Sequence, residues 1–544
     1  MNMKRLLSLA ISAVFASGFI NAATVTPDQA VALAQRFSHD NFTPKLLQGS
    51  APALQMAYAA RSGQYTDYYV FNRGNGDGYI IVSGDDMTVP VWGFSESGSF
   101  DINLMPCNMR AWLEEYQRQL QWLRDHPEYA QRTTPTLTSS VSPLLSSTWD
   151  QGAPFNRFCP VVDSRRCLTG CLATALAQIM YYHKWPNRGE GDNSYSLTLA
   201  DGSTINVSGD FSQSTYQWDS MLDSYNFNYT NTQANAVARL MSDAGVAIYM
   251  KYSPTSSYAN YSDIMQALIA NFDYNPSINF YLRNKYSGDW DEMLRNELDT
   301  NRPIYYAGQT STNAGHAFVL DGYRSDGYFH VNWGWGGDYD GYFLSSVLSP
   351  STNNSYNYNQ RAFTAIYPDN TGQGGIALKK YITPVASSMP ANDMRASFEV
   401  QALGGPYNGN VRVAFATKTG DDSYSWNYSK NVSIQLAAGE RKTIHVSGSY
   451  SNMITGNTYY LFLINPYISI ANFSWGKTSS FVIGDWPAIP GDVNGDHEVT
   501  IADVNAVIEV ILGHANSNSK ADVNHDGEVT IADVNAIIEL IIGH

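Results

Sequence analysis

Cys171 stands in the run T-G-C-L-A-T-A-L-A-Q-I-M-Y-Y-H. His316 lies 145 residues downstream in G-H-A-F-V-L-D-G-Y, and Asn332 and Trp333 follow in H-V-N-W-G-W-G-G. A thiol attacks a carbonyl only as thiolate, a form favoured by a neighbouring imidazolium and by the positive end of a helix dipole. Gly170 followed by an uninterrupted helix-forming run to about His183 predicts that the sulfur sits in the first helical turn. Peptide nitrogens there lack intrahelical partners and can donate to the oxyanion formed on attack. His316 follows Gly315 and precedes the apolar alternation A-F-V-L, which reads as the start of a strand, a rigid mount for an imidazole acting as base and then acid. The separation suits a Cys and a His delivered from opposite halves of one domain.

Several motifs in order, W-D-Q-G-A-P-F-N (149–156), the Cys171 run through K-W-P, G-H-A-F-V-L-D-G-Y and H-V-N-W-G-W-G-G, make residues 141–368 resemble the streptopain family of bacterial cysteine peptidases, which includes interpain-like enzymes. The resemblance implies a papain-like two-lobed α+β fold and endopeptidase activity, with Cys171 as nucleophile and His316 as general base, and no cofactor for catalysis. It also implies that Gln151 supplies the second oxyanion donor, that Asn332 orients the imidazole and that Trp333 shields that contact from water. The stretch 252–258 (Y-S-P-T-S-S-Y), with Gly315, falls where the family lines its substrate cleft.

Plainer roles stand beside these. A Gln in a loop before Gly-Ala-Pro can equally brace that loop. Trp333 and Trp335 in a Gly-rich turn are core aromatics in most proteins, and both roles are compatible. His183, closing the same helix as Cys171, reads as a cap for C-terminal carbonyls, and His330 as a structural residue on a strand.

At 544 residues the chain is too long for one core. M-N-M-K-R followed by a short apolar run reads as a signal peptide over residues 1–22, cleaved after Ala22, of a protein secreted from a bacterium or held in its periplasm or at its surface. No later apolar run is long enough to span a bilayer. Cys107, Cys159, Cys167 and Cys171 are the four cysteines; Cys159 with Cys167 could close a small loop, but nothing in the sequence requires it. Residues 23–140 carry a helix-like start at P-D-Q-A-V-A-L-A-Q-R-F and strand-like runs Y-Y-V-F-N and G-Y-I-I-V-S-G. In the resembled family this position holds an inhibitory prodomain. The Ser, Thr and Pro-rich stretch 133–147 is expected to be exposed and cut on activation. Arg165 and Arg166 read as a solvated basic turn or a second nick site.

Residues 369–484 show short alternating strands separated by Gly, Asn and Asp turns, a β-sandwich pattern of immunoglobulin-like size. In 487–544, D-V-N-G-D-H-E-V-T-I-A-D recurs 30 residues later as D-V-N-H-D-G-E-V-T-I-A-D. Each copy offers oxygens at the positions an EF-hand-type Ca²⁺ loop requires. The first set is Asp492, Asn494, Asp496, Glu498 (backbone), Thr500 and Asp503; the second is Asp522, Asn524, Asp526, Glu528 (backbone), Thr530 and Asp533. Apolar residues at helical spacing follow each loop, and the pair resembles a dockerin, which implies a small all-α domain with two structural Ca²⁺ ions and a cohesin-like partner. His497 stands where position 6 of such a loop usually has Gly, and Ile-Ala at positions 10 and 11 is more apolar than is common. This segment holds ten acidic residues against one lysine, more than half of the chain's net −16. No basic cluster suggests nucleic acid or a membrane surface. Two other classes are consistent with the chain: a non-catalytic scaffold working through its dockerin, and an acyl-transferring enzyme. Peptide cleavage dependent on Cys171, or an isopeptide product, separates them.

Overall fold

The computed structural model describes residues 24–42, 53–199, 202–309, 315–347, 360–369, 372, 374–420, 423–450, 452–468, 475–487, 489–496, 498–516 and 519–542; the expected export segment lies outside them. The chain forms two compact units that divide between residues 371 and 372.

Helix α1 (Pro27–Asn41) opens on a capping box. Thr26 Oγ1 accepts from the Gln29 amide at 3.3 Å, and the Gln29 side chain accepts from the Thr26 amide at 2.8 Å. An antiparallel meander follows, made of β1 (Leu54–Ser62), β2 (Tyr65–Arg73), β3 (Tyr79–Ser83) and β4 (Val91–Ser95), with every residue of β3 buried. Helix α2 (Cys107–Asp125) comes next. Its Met109, Trp112, Leu113, Tyr116, Leu120 and Leu123 are buried at three- and four-residue spacing, a pattern legible in the sequence.

The meander does not form a closed body of its own. β4 pairs with Gly341–Phe343, and one antiparallel sheet of ten strands continues from there through Phe329–Asn332, Gly315–Tyr323, Ile304–Gln309, Arg361–Thr364 and Asn279–Leu282. At the seam a Cβ on Gly93 would lie 2.4 Å from Phe343 Cδ1 and 3.0 Å from the Tyr342 carbonyl oxygen, so a side chain there would have to displace the Phe343 ring. Against the strand Gly315–Tyr323 packs helix α3 (Cys171–His183), and α4 (Asn231–Ala247) packs on α3.

The stretch expected to be an exposed linker is partly zipped down. Leu137 N donates to Ser325 O, Val141 exchanges both bonds with Tyr323, and Leu144 N donates to Asp321 O, at 2.7–2.9 Å. Thr138, Ser139, Ser140, Ser142 and Pro143 nonetheless remain exposed.

The second unit holds a three-stranded sheet (Gly375–Pro384, Met394–Leu403, Arg441–Gly448) and a five-stranded sheet (Ser388–Met389, Ser479–Ile483, Thr458–Ile464, Tyr407–Gly420, Ser423–Leu436). They share a core that includes Ile376, Phe398, Val411, Phe415, Leu461 and Trp475. Helices Ile501–Ile511 and Ile531–Ile542 follow, and Val507 and Ile537 are fully buried between them.

Candidate active site

α3 starts at Cys171 because Gly170 adopts φ +86°, a conformation L side chains avoid. Space reinforces this choice: a Cβ there would lie 2.8 Å from Met250 Cε. The stretch 252–258 is wired to the same point, since Leu168 N donates to Ser253 O at 3.1 Å and Ser257 Oγ donates to Leu168 O at 2.8 Å. Gln151 is brought in by its carbonyl, which accepts from Thr169 N at 3.1 Å, two residues before the cysteine. Among the described residues its side-chain amide makes no hydrogen bond, and the residue is 7 % exposed.

The sulfur of Cys171 accepts from the Ala317 amide at 3.5 Å, so the helix start and the residue following His316 are in contact. The imidazole itself is engaged elsewhere. His316 Nδ1 lies 3.2 Å from the Cys107 sulfur at the beginning of α2. The next residue, Asn108, is 1 % exposed and donates from Nδ2 to the Trp333 carbonyl at 2.7 Å. Trp112, one turn further, packs its ring against Trp333 and Phe318 at 6.0 and 5.4 Å between centroids. The leading segment therefore contacts both His316 and the loop that follows its strand pair.

Electrostatics match this contact. Burial pushes the Cys171 thiol up to about 12, with the nearby Cys107 adding to it, and burial lowers the His316 imidazole to about 4. Burial also raises the Cys107 thiol. Burial thus favours the neutral form of each of these groups.

Asn332 is placed on Phe329–Asn332, and Val319 of the His316 strand pairs with it. Its side chain is held by other groups: Oδ1 accepts from Gln178 Nε2 at 3.0 Å and from the Gly334 amide at 3.1 Å, while Nδ2 donates to Ser147 O at 2.8 Å. The structure thus brings Asn332 to α3 rather than to the imidazole. Trp333 is fully buried, its ring near Phe318 at 4.8 Å, and its amide donates to Asp340 Oδ1 at 2.8 Å. Gly315 opens the His316 strand opposite Gln309. His183 pairs with the Tyr274 hydroxyl at 3.2 Å instead of a terminal carbonyl, and His330 pairs with Asp321 at 2.6 Å. Cys159 and Cys167 are free buried thiols.

No motif in the sequence marks Cys107, Asn108 or Gln178 as part of the site. Cys107 and Asn108 lie far from the catalytic motifs in the chain, and their meaning depends on where α2 docks. Gln178 falls seven residues after Cys171, on the same helical face, which was a readable signal.

In the second unit Asp492, Asp496 and Asp503 carry carboxylate oxygens within 4.8 Å of one another, a hard-oxygen set that suits a divalent cation. Asp503 also ties the loop, with Oδ1 accepting from Val493 N at 2.9 Å and Oδ2 from Thr500 N at 2.9 Å. Asp533 repeats this with Val523 N and Thr530 N at 2.7 and 2.8 Å. Desolvation raises the Asp533 carboxyl, but these backbone donors outweigh it and hold the group below the usual carboxylate range. Asn494 and Asn524 each lie 2.8 Å from the Asp at position 5 of their own loop. Asp522 turns toward the amides of Asp526 and Gly527. Glu498, Thr500, Glu528 and Thr530 occupy equivalent loop positions, and His497 lies outside the described residues.

Comparison with known proteins places these features in context. The pattern of the Peptidase C10 family matches residues 149–343, that of the Spi protease inhibitor residues 22–120, and that of the dockerin type I domain residues 490–542. Streptopain of Streptococcus pyogenes is 33% identical over 378 residues, which cover 64% of this chain and 94% of that protein. The thiol protease/hemagglutinin PrtT of Porphyromonas gingivalis is 32% identical over 394 residues, covering 68% of this chain and 45% of that longer protein. Among solved structures, a prointerpain A fragment of Prevotella intermedia is 33% identical, with a TM-score of 0.51, over 58% of this chain and 100% of the fragment.

Proposed function

The chain belongs to the Peptidase C10 family of cysteine peptidases, and from that premise we propose that it is the zymogen of a secreted bacterial endopeptidase in which Cys171 attacks the peptide carbonyl and His316 takes and returns the proton. The observation that carries this reading is the position of Cys171 at the first turn of α3, 3.5 Å from the amide of the residue following His316. Free amides at that turn and the Gln151 side chain would hold the oxyanion, in a papain-like two-lobed cleft lined by residues 252–258 and Gly315.

Inhibition follows from the same contacts. With Cys107 against Nδ1 of His316 and Asn108 on the Trp333 carbonyl, the base is kept off the nucleophile until the segment 23–140 leaves. Departure exposes both groups, relieves the desolvation that keeps them neutral and lets the proton pass from sulfur to ring. The domains then divide as 1–22 signal peptide, 23–140 prodomain, 141–368 peptidase, 369–484 immunoglobulin-like sandwich and 487–544 dockerin-like module. Ca²⁺, one ion in each loop, would be held by the oxygen sets above and would order the loops, presenting the exposed Ile501 and Ile531 to a cohesin-like partner.

The test is to express the chain beside Cys171→Ala and follow mass and peptide cleavage with time. The parent should shorten within 133–147 and expose a new peptide N-terminus in substrate, while the variant stays intact. Shortening of purified Cys171→Ala at the parent's rate would remove Cys171 from the nucleophile's role.

A further inference from the structure

Gln178 is buried to 1 % exposure on a helix whose residues 171–180 are all buried. An amide in such a place is costly unless each polar atom finds a partner. Its partners come from separate segments of the site. Oε1 accepts from Ser147 Oγ at 3.0 Å and from the Trp149 amide at 3.2 Å, two residues before Gln151. Nε2 donates to Asn332 Oδ1 at 3.0 Å, next to Trp333. Asn332 closes the ring by donating to Ser147 O at 2.8 Å, and it fixes the turn at Gly334, where φ is +74° and a Cβ would lie 3.2 Å from Thr174 Cγ2 of α3.

We propose that Gln178 is a positioning residue for the peptidase reaction: its side-chain amide clamps the segment bearing Gln151 and the loop bearing Asn332 and Trp333 onto the nucleophile helix, and so sets the alignment of oxyanion donor and base against Cys171. The proposal rests on the catalytic reading of Cys171 and His316 given above. Gln178 sits two helical turns from the sulfur and acts through Asn332 and Trp149. Three partners must be met at once by one acceptor and one donor, a demand that neither Glu nor Met can fulfil. Glu puts an acceptor against Asn332 Oδ1; Met keeps the volume and supplies no amide.

The experiment uses the full chain as Gln178→Glu, Gln178→Met and the milder Ser147→Ala, each activated by a trace of parent enzyme. Turnover is expressed per active site titrated with an irreversible thiol inhibitor, so misfolded protein does not count. A second readout is the pH dependence of Cys171 alkylation by iodoacetamide. Misplacement of reacting groups by a fraction of an ångström predicts a loss of kcat of roughly 10- to 100-fold for the Gln178 variants and several-fold for Ser147→Ala, KM within about threefold, and an alkylation profile moved to higher pH. Parent-like kcat per titrated site with an unmoved alkylation profile, in Ser147→Ala and in whichever Gln178 variant folds, overturns the proposal. Cys171→Ala run alongside separates the two ideas: cleavage surviving in it sinks the nucleophile assignment, whereas cleavage lost there but intact in the Gln178 variants sinks only the clamp.

Discussion

The Cys107 sulfur meets the His316 ring where α2 docks on the site, and burial there disfavours charge on both. Asn108 donates to a buried carbonyl, and Asn108→Ala leaves that oxygen unsatisfied at a cost of about 1–3 kcal/mol to the bound prodomain. The measurable outcome is faster self-shortening, of the order of tenfold or more; unchanged kinetics would remove Asn108 from the latch. His316 gives a pH signature. Its imidazole is held at about 4 when the prodomain is seated, against an ordinary value near 6.5, so between these the unfolded chain binds more protons than the folded one. The stability it contributes is full above about pH 6.5 and is lost as the pH falls toward 4, with a slope of at most ~1.4 kcal/mol per pH unit. Urea titrations of Cys171→Ala from pH 7 to pH 4.5 should show this steeper decline, and Cys171→Ala combined with His316→Gln should flatten it. Equal slopes would show that the ring is not protonated on unfolding. Glu115, also on α2, has its carboxyl raised by burial and opposes this trend, and is common to both variants.

Among the elements, the shared sheet and the start of α3 carry the consequences. The prodomain joins the peptidase by main-chain pairing of β4 with Gly341–Phe343, a seam with no side-chain room at Gly93. Gly93→Val should force Phe343 or the strand aside and loosen inhibition, seen as prodomain loss at protein concentrations where the parent zymogen stays whole. Gly170→Ala should lower the stability of the first unit by about 1–3 kcal/mol through the left-handed φ, and by more if Met250 cannot move aside. A urea midpoint equal to the parent's would refute that account.

For the whole molecule, the two units have different dependencies. The first holds the continuous sheet and the site; the second holds the paired sheets and the two loop-helix repeats, which pack around a small core that includes Val507 and Ile537 and carry acidic loops suited to a divalent cation. Chelation of Ca²⁺ should therefore cost helical signal and raise proteolytic sensitivity after residue 487 while leaving peptide cleavage intact. Asp503→Ala with Asp533→Ala should mimic chelation, since both carboxylates also hold their loops' amides. Activity that tracks chelator concentration would show instead that the peptidase depends on the metal-binding repeats.

The sequence alone determined what local chemistry dictates. Helix α3 beginning at Cys171, the strand carrying His316, the helix opening at Pro27 and the duplicated acidic loops are set by neighbours a few residues apart, and each is found where periodicity and turn residues place it. Tertiary structure decided the pairings across long separations. That Asn332 meets Gln178, that His316 meets Cys107 over an interval of 209 residues, and that β4 extends a sheet begun far downstream are outcomes of packing, in which buried donors and acceptors must all be matched at once. No periodicity along the chain encodes such matches, because they depend on which surfaces dock.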